Sequence, residues 1–132
     1  MKEDFVTFEL AKKLKNKGYP QVEKNTLAMY DEDGCLSCLC PTLDINRYYY
    51  CFEDFDKHDY VAPTISQVLK WLREEKNIFV VVLIDDDSDY PVTYNIFNGA
   101  DCVYHHHENY YALSEWSKCE MAGIGYVIDN LI

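Results

Sequence analysis

Six cysteines, four histidines and a run of aspartates carry most of the potential chemistry in this 132-residue sequence. Cys35-x-x-Cys38-x-Cys40, followed by Cys51, offers three or four thiolates to zinc, whose tetrahedral demand a CxxC knuckle meets. A zinc ribbon needs a second CxxC or a histidine pair at knuckle spacing, and neither stands near Cys51, so reduced thiols without metal are expected. His105-His106-His107-Glu108 is the second ligand-rich stretch. Consecutive residues of a strand point to opposite faces, so only His105 and His107 converge there, and a further ligand such as Asp101 is required. Asp85-Asp86-Asp87-Ser88-Asp89 opens like a calcium loop, but Tyr90 stands at the glycine position and Ile96 at the bidentate glutamate position. A charged hairpin turn that discourages edge pairing accounts better for it. The sequence holds no G-x-S-x-G elbow, no phosphate-cradling glycine loop and no H-E-x-x-H, so no catalytic residue is assigned and no cofactor is expected.

Twelve tyrosines are the unusual feature of the composition. Tyr48-Tyr49-Tyr50 and Tyr110-Tyr111 are so arranged that no strand buries every ring on one face. Tyrosine is an amphipathic anchor enriched at interfaces, which makes these five the candidate interaction residues, although strands also favour tyrosine for its own sake. The expected ligand is another protein or a second copy of the chain. Charge argues in the same direction, because 23 acidic against 12 basic side chains give a net charge of −11. That balance opposes the phosphate neutralisation on which direct nucleic-acid binding relies. The acidity is concentrated, since residues 1–24 carry +2 and residues 25–132 carry −13.

Length and composition fit one α+β domain over residues 1–132, with no repeat, linker or low-complexity tract. The longest apolar run, residues 78–84, falls far short of the roughly 20 residues of a membrane helix, and the first residues lack the apolar stretch of a signal peptide. A cytoplasmic protein without membrane contact is expected.

Thr7 as N-cap, Leu10, Ala11 and Leu14 on one face, and Lys12, Lys13, Lys15 and Lys17 towards the end predict a first helix over residues 8–17. Gly18 stops it, with Tyr19 positioned to fold back on Leu14. Residues 26–30 read as a strand ended by the turn Asp31-Glu32-Asp33-Gly34, and its partner is either residues 36–40 or residues 46–52, or both. Residues 53–59 read as loop. Thr64-Ile65-Ser66-Gln67 is a capping box that opens a helix over residues 64–76, with Ile65, Val68, Leu69 and Leu72 as its apolar stripe. Residues 79–84 are apolar and mostly β-branched, the pattern of a central strand buried on both faces. Val92, Tyr94 and Ile96 alternate with Thr93 and Asn95, Asn98-Gly99 predicts a tight hairpin, and residues 102–106 return. A last helix over residues 115–129 places Cys119, Ala122, Gly123, Tyr126 and Val127 on one face. Its two glycines cost about 1 kcal/mol each relative to alanine, a cost that close packing against a sheet would explain. The order α-β-β-α-β-β-β-α gives a largely antiparallel sheet with helices on one face. Leu14, Leu69, Leu72, Val81, Leu83, Tyr126 and Val127 are the expected core.

Three segments in order, Phe5-Val6-Thr7-Phe8-Glu9-Leu10-Ala11-Lys12-Lys13-Leu14-Lys15 with Gly18-Tyr19, Ala62-Pro63-Thr64 through Gln67 to Lys70-Trp71-Leu72-Arg73-Glu74, and Ala122-Gly123-Ile124 with Tyr126-Val127-Ile128, together resemble a family of small uncharacterised proteins. Its members are encoded by phages, prophages and genomes of gut Bacteroides-type bacteria. The resemblance spans most of the chain except residues 31–60. It implies a cytosolic bacterial or phage setting and a self-contained domain, and carries no activity, cofactor or partner.

The composition and motifs thus point to a non-catalytic protein-interaction module with an aromatic-rich surface. The alternatives are an acidic mimic of nucleic acid that occupies a DNA- or RNA-binding protein, and a small metal-binding protein or metal-dependent enzyme. Thiol titration separates the last of these. Six thiols should react in denaturant without reductant, and elemental analysis should find no stoichiometric zinc. Fewer than five reactive thiols, or one zinc per chain, would instead make Cys35, Cys38, Cys40 and Cys51 a structural site.

Overall fold

The structure, a computed structural model, describes residues 4–21, 28–38, 59–85, 89–106 and 110–132. The chain divides into two compact units, Glu3–Thr64 and Ile65–Ile132. The class is α+β, as expected, but the strands form two antiparallel three-stranded sheets, one in each unit, where a single sheet was predicted.

In the first unit, α1 spans Phe8–Asn16. The Thr7 hydroxyl accepts from the Leu10 N–H at 3.3 Å, satisfying one of the amides that a helix start leaves unpaired. At the other end Gly18 adopts a φ of +89°, and the Tyr19 N–H returns to the Leu14 carbonyl at 3.0 Å. Leu10, Ala11 and Leu14 are buried as their spacing requires. Strands β1 (Ala28–Tyr30), β2 (Leu36–Cys38) and β3 (Tyr60–Val61) follow, with β1 central. Residues 36–38 therefore supply the partner of β1 through Tyr30↔Leu36, while residues 46–52 lie outside the described residues. Asp31 builds the connecting turn, its Oδ1 accepting from the N–H groups of Asp33 and Cys35. The ring of Phe8 packs against Tyr30 and Tyr60, and the Tyr30 hydroxyl donates to the Val6 carbonyl at 2.7 Å.

In the second unit, α2 spans Ile65–Lys76, β4 Ile78–Ile84, β5 Val92–Asn98 and β6 Asp101–His105, a 3₁₀ turn spans Leu113–Glu115, and α3 spans Trp116–Asn130. The helix α2 begins directly after the predicted capping threonine. Asn98 and Gly99 turn β5 into β6, with Gly99 at a φ of +61°. Both helices pack on the sheet: α2 against β4, and α3 against β4 and β5. Their face of the sheet carries Val92, Tyr94 and Ile96, all buried.

The sheet order is β4-β5-β6, so β5 is the central strand and β4 lies at an edge among the described residues. This corrects the reading of residues 79–84 as interior. Only Ile78 of β4 is buried, Val81 is 41% exposed and Ile84 61%. Leu14, Leu72 and Val127 are core as expected, whereas Leu69, Leu83 and Tyr126 are half-buried and Val81 is exposed. A continuous apolar run reports that both faces avoid water, and it carries no information about which side of the strand is paired.

The two glycines of α3 play different parts. A Cβ on Gly123 would meet Val80 Cγ1 and stand 3.3 Å from the Tyr94 ring, whereas one on Gly125 meets nothing within 4 Å. Gly123→Ala should therefore destabilise by about 1–3 kcal/mol through overpacking. Gly125→Ala should stabilise by about 0.5–1 kcal/mol through helix propensity. Urea melts of the two variants check the opposite signs.

Candidate functional site

Strand alternation and the placement of α3 bring four tyrosines, a histidine and a cysteine together inside the second unit. Tyr94 projects from the central strand and stacks on the imidazole of His106, with ring centroids 4.5 Å apart and planes 11° apart. Tyr104, from β6, contacts Tyr94 and stacks on Tyr126 of α3 at 3.8 Å, and its hydroxyl lies 3.3 Å from His106 Nδ1. Tyr111 forms an antiparallel bridge with Val92, its N–H donating to the Val92 carbonyl at 2.8 Å and its carbonyl accepting from the Val92 N–H at 2.9 Å. Cys119, fully buried on α3, is the nearby sulfur.

The electrostatics favour the neutral forms of Cys119, Tyr94 and Tyr111. Burial pushes the Cys119 thiol up to about 12, assisted by the charge of Glu120. Burial also raises the hydroxyls of Tyr94 and Tyr111, with neighbouring tyrosines and Cys119 adding to the effect on Tyr94. A nucleophilic cysteine needs the reverse, a thiolate favoured by cations or a helix N-terminus, so Cys119 packs as a small apolar side chain. Glu115 is the contrasting group. The Ala112 N–H, donating at 3.1 Å, and Lys118 at 3.2 Å hold its carboxyl below the usual range while it closes the 3₁₀ turn.

The opposite face of the same sheet is differently built. Tyr94 and Gly123 fix which side meets the helix, so alternation assigns Phe79, Val81 and Leu83 of β4, and Thr93, Asn95 and Phe97 of β5, to the other side. Register adds His105 opposite Asn95 and Cys102 opposite Phe97, and a bulge beside Phe97 leaves Val103 next to them, 45% exposed. His105 Nδ1 and Asn95 Oδ1 are 2.9 Å apart, and Thr93 donates to the His106 carbonyl at 3.0 Å. The result is an apolar surface of phenylalanine, valine and leucine crossed by one polar row.

Few of the metal-ligand candidates singled out from sequence fall among the described residues. Cys35 is exposed at the start of β2, and the strand that follows it is extended where a zinc knuckle would need a tight turn. The side chain of Cys38, together with Cys40, Cys51, His107, Tyr48, Tyr49 and Tyr50, lies outside the described residues. Among the described residues no three His, Cys, Asp or Glu side chains are grouped as metal ligands would be. Tyr110 and Tyr111 are half-buried and tied into the sheet end, the Tyr110 hydroxyl donating to Asp85 Oδ2 at 3.2 Å. The tyrosine cluster was not visible in the sequence, because positions 94, 104, 106, 111, 119 and 126 meet only through sheet register. No family model matches the sequence, and no curated protein and no solved structure is similar to it.

Alkaline unfolding tests the cluster. Tyr94 and Cys119 release their protons more readily from the unfolded chain than from the fold, so stability is full below pH 9 and falls as pH rises towards 12. Each fully coupled group contributes a slope of about 1.4 kcal/mol per pH unit. Cys119→Ala should flatten the fall between pH 9 and 12, measured by urea titration at each pH, and an unchanged slope would contradict the assignment.

Proposed function

We propose that this chain is a non-catalytic protein-interaction module of phage or mobile-element origin, acting in the cytoplasm, whose binding surface is the outer face of the second sheet. The observation that supports it is the exposure of apolar side chains there, Val81 at 41% and Val103 at 45%, beside Phe79, Leu83 and Phe97. Exposed valines on the two outer strands flank half-buried Phe79, Leu83 and Phe97, and apolar surface of this kind is a candidate site of association. Aromatic rings within it supply the large, rigid contact area typical of interface anchors. Tyr110 and Tyr111, half-buried at the end of the sheet, are further candidate anchors beside these. Among the described residues no helix is long and apolar enough to cross a membrane.

The test is affinity capture from a phage-carrying bacterial lysate, comparing the native chain with Val103→Lys. The substitution places a charge on the exposed bulge and should leave the melting temperature unchanged. Capture of the specific partner should fall at least about tenfold, equivalent to about 1.4 kcal/mol. Equal capture by both proteins would reject this face. Capture that survives the substitution but collapses as salt is raised would favour an acidic mimic of nucleic acid, since ring burial is not screened and charge pairing is.

A further inference from the structure

We propose that the free edge of β4 pairs with the same edge of a second copy of this chain, joining two second-unit sheets into one six-stranded antiparallel sheet. The inference goes beyond the interaction-module reading, because it uses the edge of the sheet and not its outer face.

Backbone parity defines the edge. Asn77 accepts from the Gly99 N–H, and Asp85 donates to the Pro91 carbonyl, both towards the β5 side. The β4–β5 register runs without a shift from Ile78↔Asn98 to Ile84↔Val92, so Phe79, Val81 and Leu83 also direct N–H and C=O towards β5. Ile78, Val80, Val82 and Ile84 therefore direct theirs outward. Among the described residues these outward groups meet no hydrogen-bonding partner. Natural edge strands are blunted by charge, proline or a bulge, and Ile-Phe-Val-Val-Val-Leu-Ile has none of the three.

The edge is complementary to itself. Antiparallel pairing about a two-fold axis at Val81 sets Val81 against Val81, Val80 against Val82, Phe79 against Leu83 and Ile78 against Ile84. Like meets like because the strand reads almost the same in both directions. In that register every outward residue faces an outward residue of the mate, so all four pairs exchange ladder hydrogen bonds, and Val81 falls at the close, non-bonded position on the axis. An isologous contact of this kind closes on itself and does not propagate into a fibre.

Sedimentation velocity of the full chain tests this. The native protein should sediment as twice 15.5 kDa. Val81→Lys and Val81→Glu should each be monomeric, because like charges meet on the axis, and an equimolar mixture of the two should recover the doubled mass. Val82→Pro, which removes an outward N–H and leaves the β5 ladder intact, should also be monomeric. A native chain that stays at 15.5 kDa up to its solubility limit, a Val81→Lys protein that remains dimeric, or a mixture that stays monomeric would each overturn the proposal. Val103→Lys, on the strand farthest from this edge, should leave the doubled mass unchanged. A monomeric native chain that still loses its partner on Val103→Lys removes the dimer and keeps the interaction reading. A dimer whose Val103→Lys variant captures that partner undiminished does the reverse.

Discussion

A strand that is apolar on both faces and unpaired along one edge has three surfaces to remove from water, and the described elements of the second unit cover one of them. Helices α2 and α3 pack on the inner face of β4, burying Ile78 and leaving Ile84 at its far end 61% exposed. Its outer face carries Phe79, Val81 and Leu83, and its edge presents four outward-facing backbone pairs of N–H and C=O. Both the proposed interface and the proposed dimer follow from this imbalance. An edge strand of alternating polarity would have needed neither, because its outer face would have been content in water.

On the central strand the inner face is fully buried, at Val92, Tyr94 and Ile96. Gly123 lets α3 approach until its backbone lies against Val80 and the ring of Tyr94, and Tyr94 in turn stacks on His106. Burial favours the neutral forms of Tyr94, Tyr111 and Cys119, which suits packing and works against a nucleophilic role for that cysteine. The outer face, with its single polar row of Asn95 and His105, is left as the surface where the chain can meet something else.

How much of this was legible in the sequence depends on the range of the interaction. Local signals read correctly: the Thr7 cap, the Gly18 stop, the Asp31 turn and the Asn98-Gly99 hairpin each rest on bonds within a few residues. Close packing was expected at both glycines of α3, and only Gly123 has a close neighbour. The two-residue strand Tyr60–Val61 escaped notice, because it has no periodicity of its own and exists only by pairing with β1. The placement of residues 79–84 was misread for a related reason. Edge and centre differ in what lies beside the strand, and that is decided by β5 and β6, not by the run itself.

Hydrogen exchange at β4 tests the central claim most directly, because neighbouring amides of one strand report different sides. In dilute solution the amides of Phe79, Val81 and Leu83 should be protected by β5, while those of Val80, Val82 and Ile84 exchange rapidly. Raising the protein concentration should protect the second set and leave the first unchanged. Strong protection of Val80, Val82 and Ile84 at every dilution would show the edge already covered within a single chain, and would contradict the account.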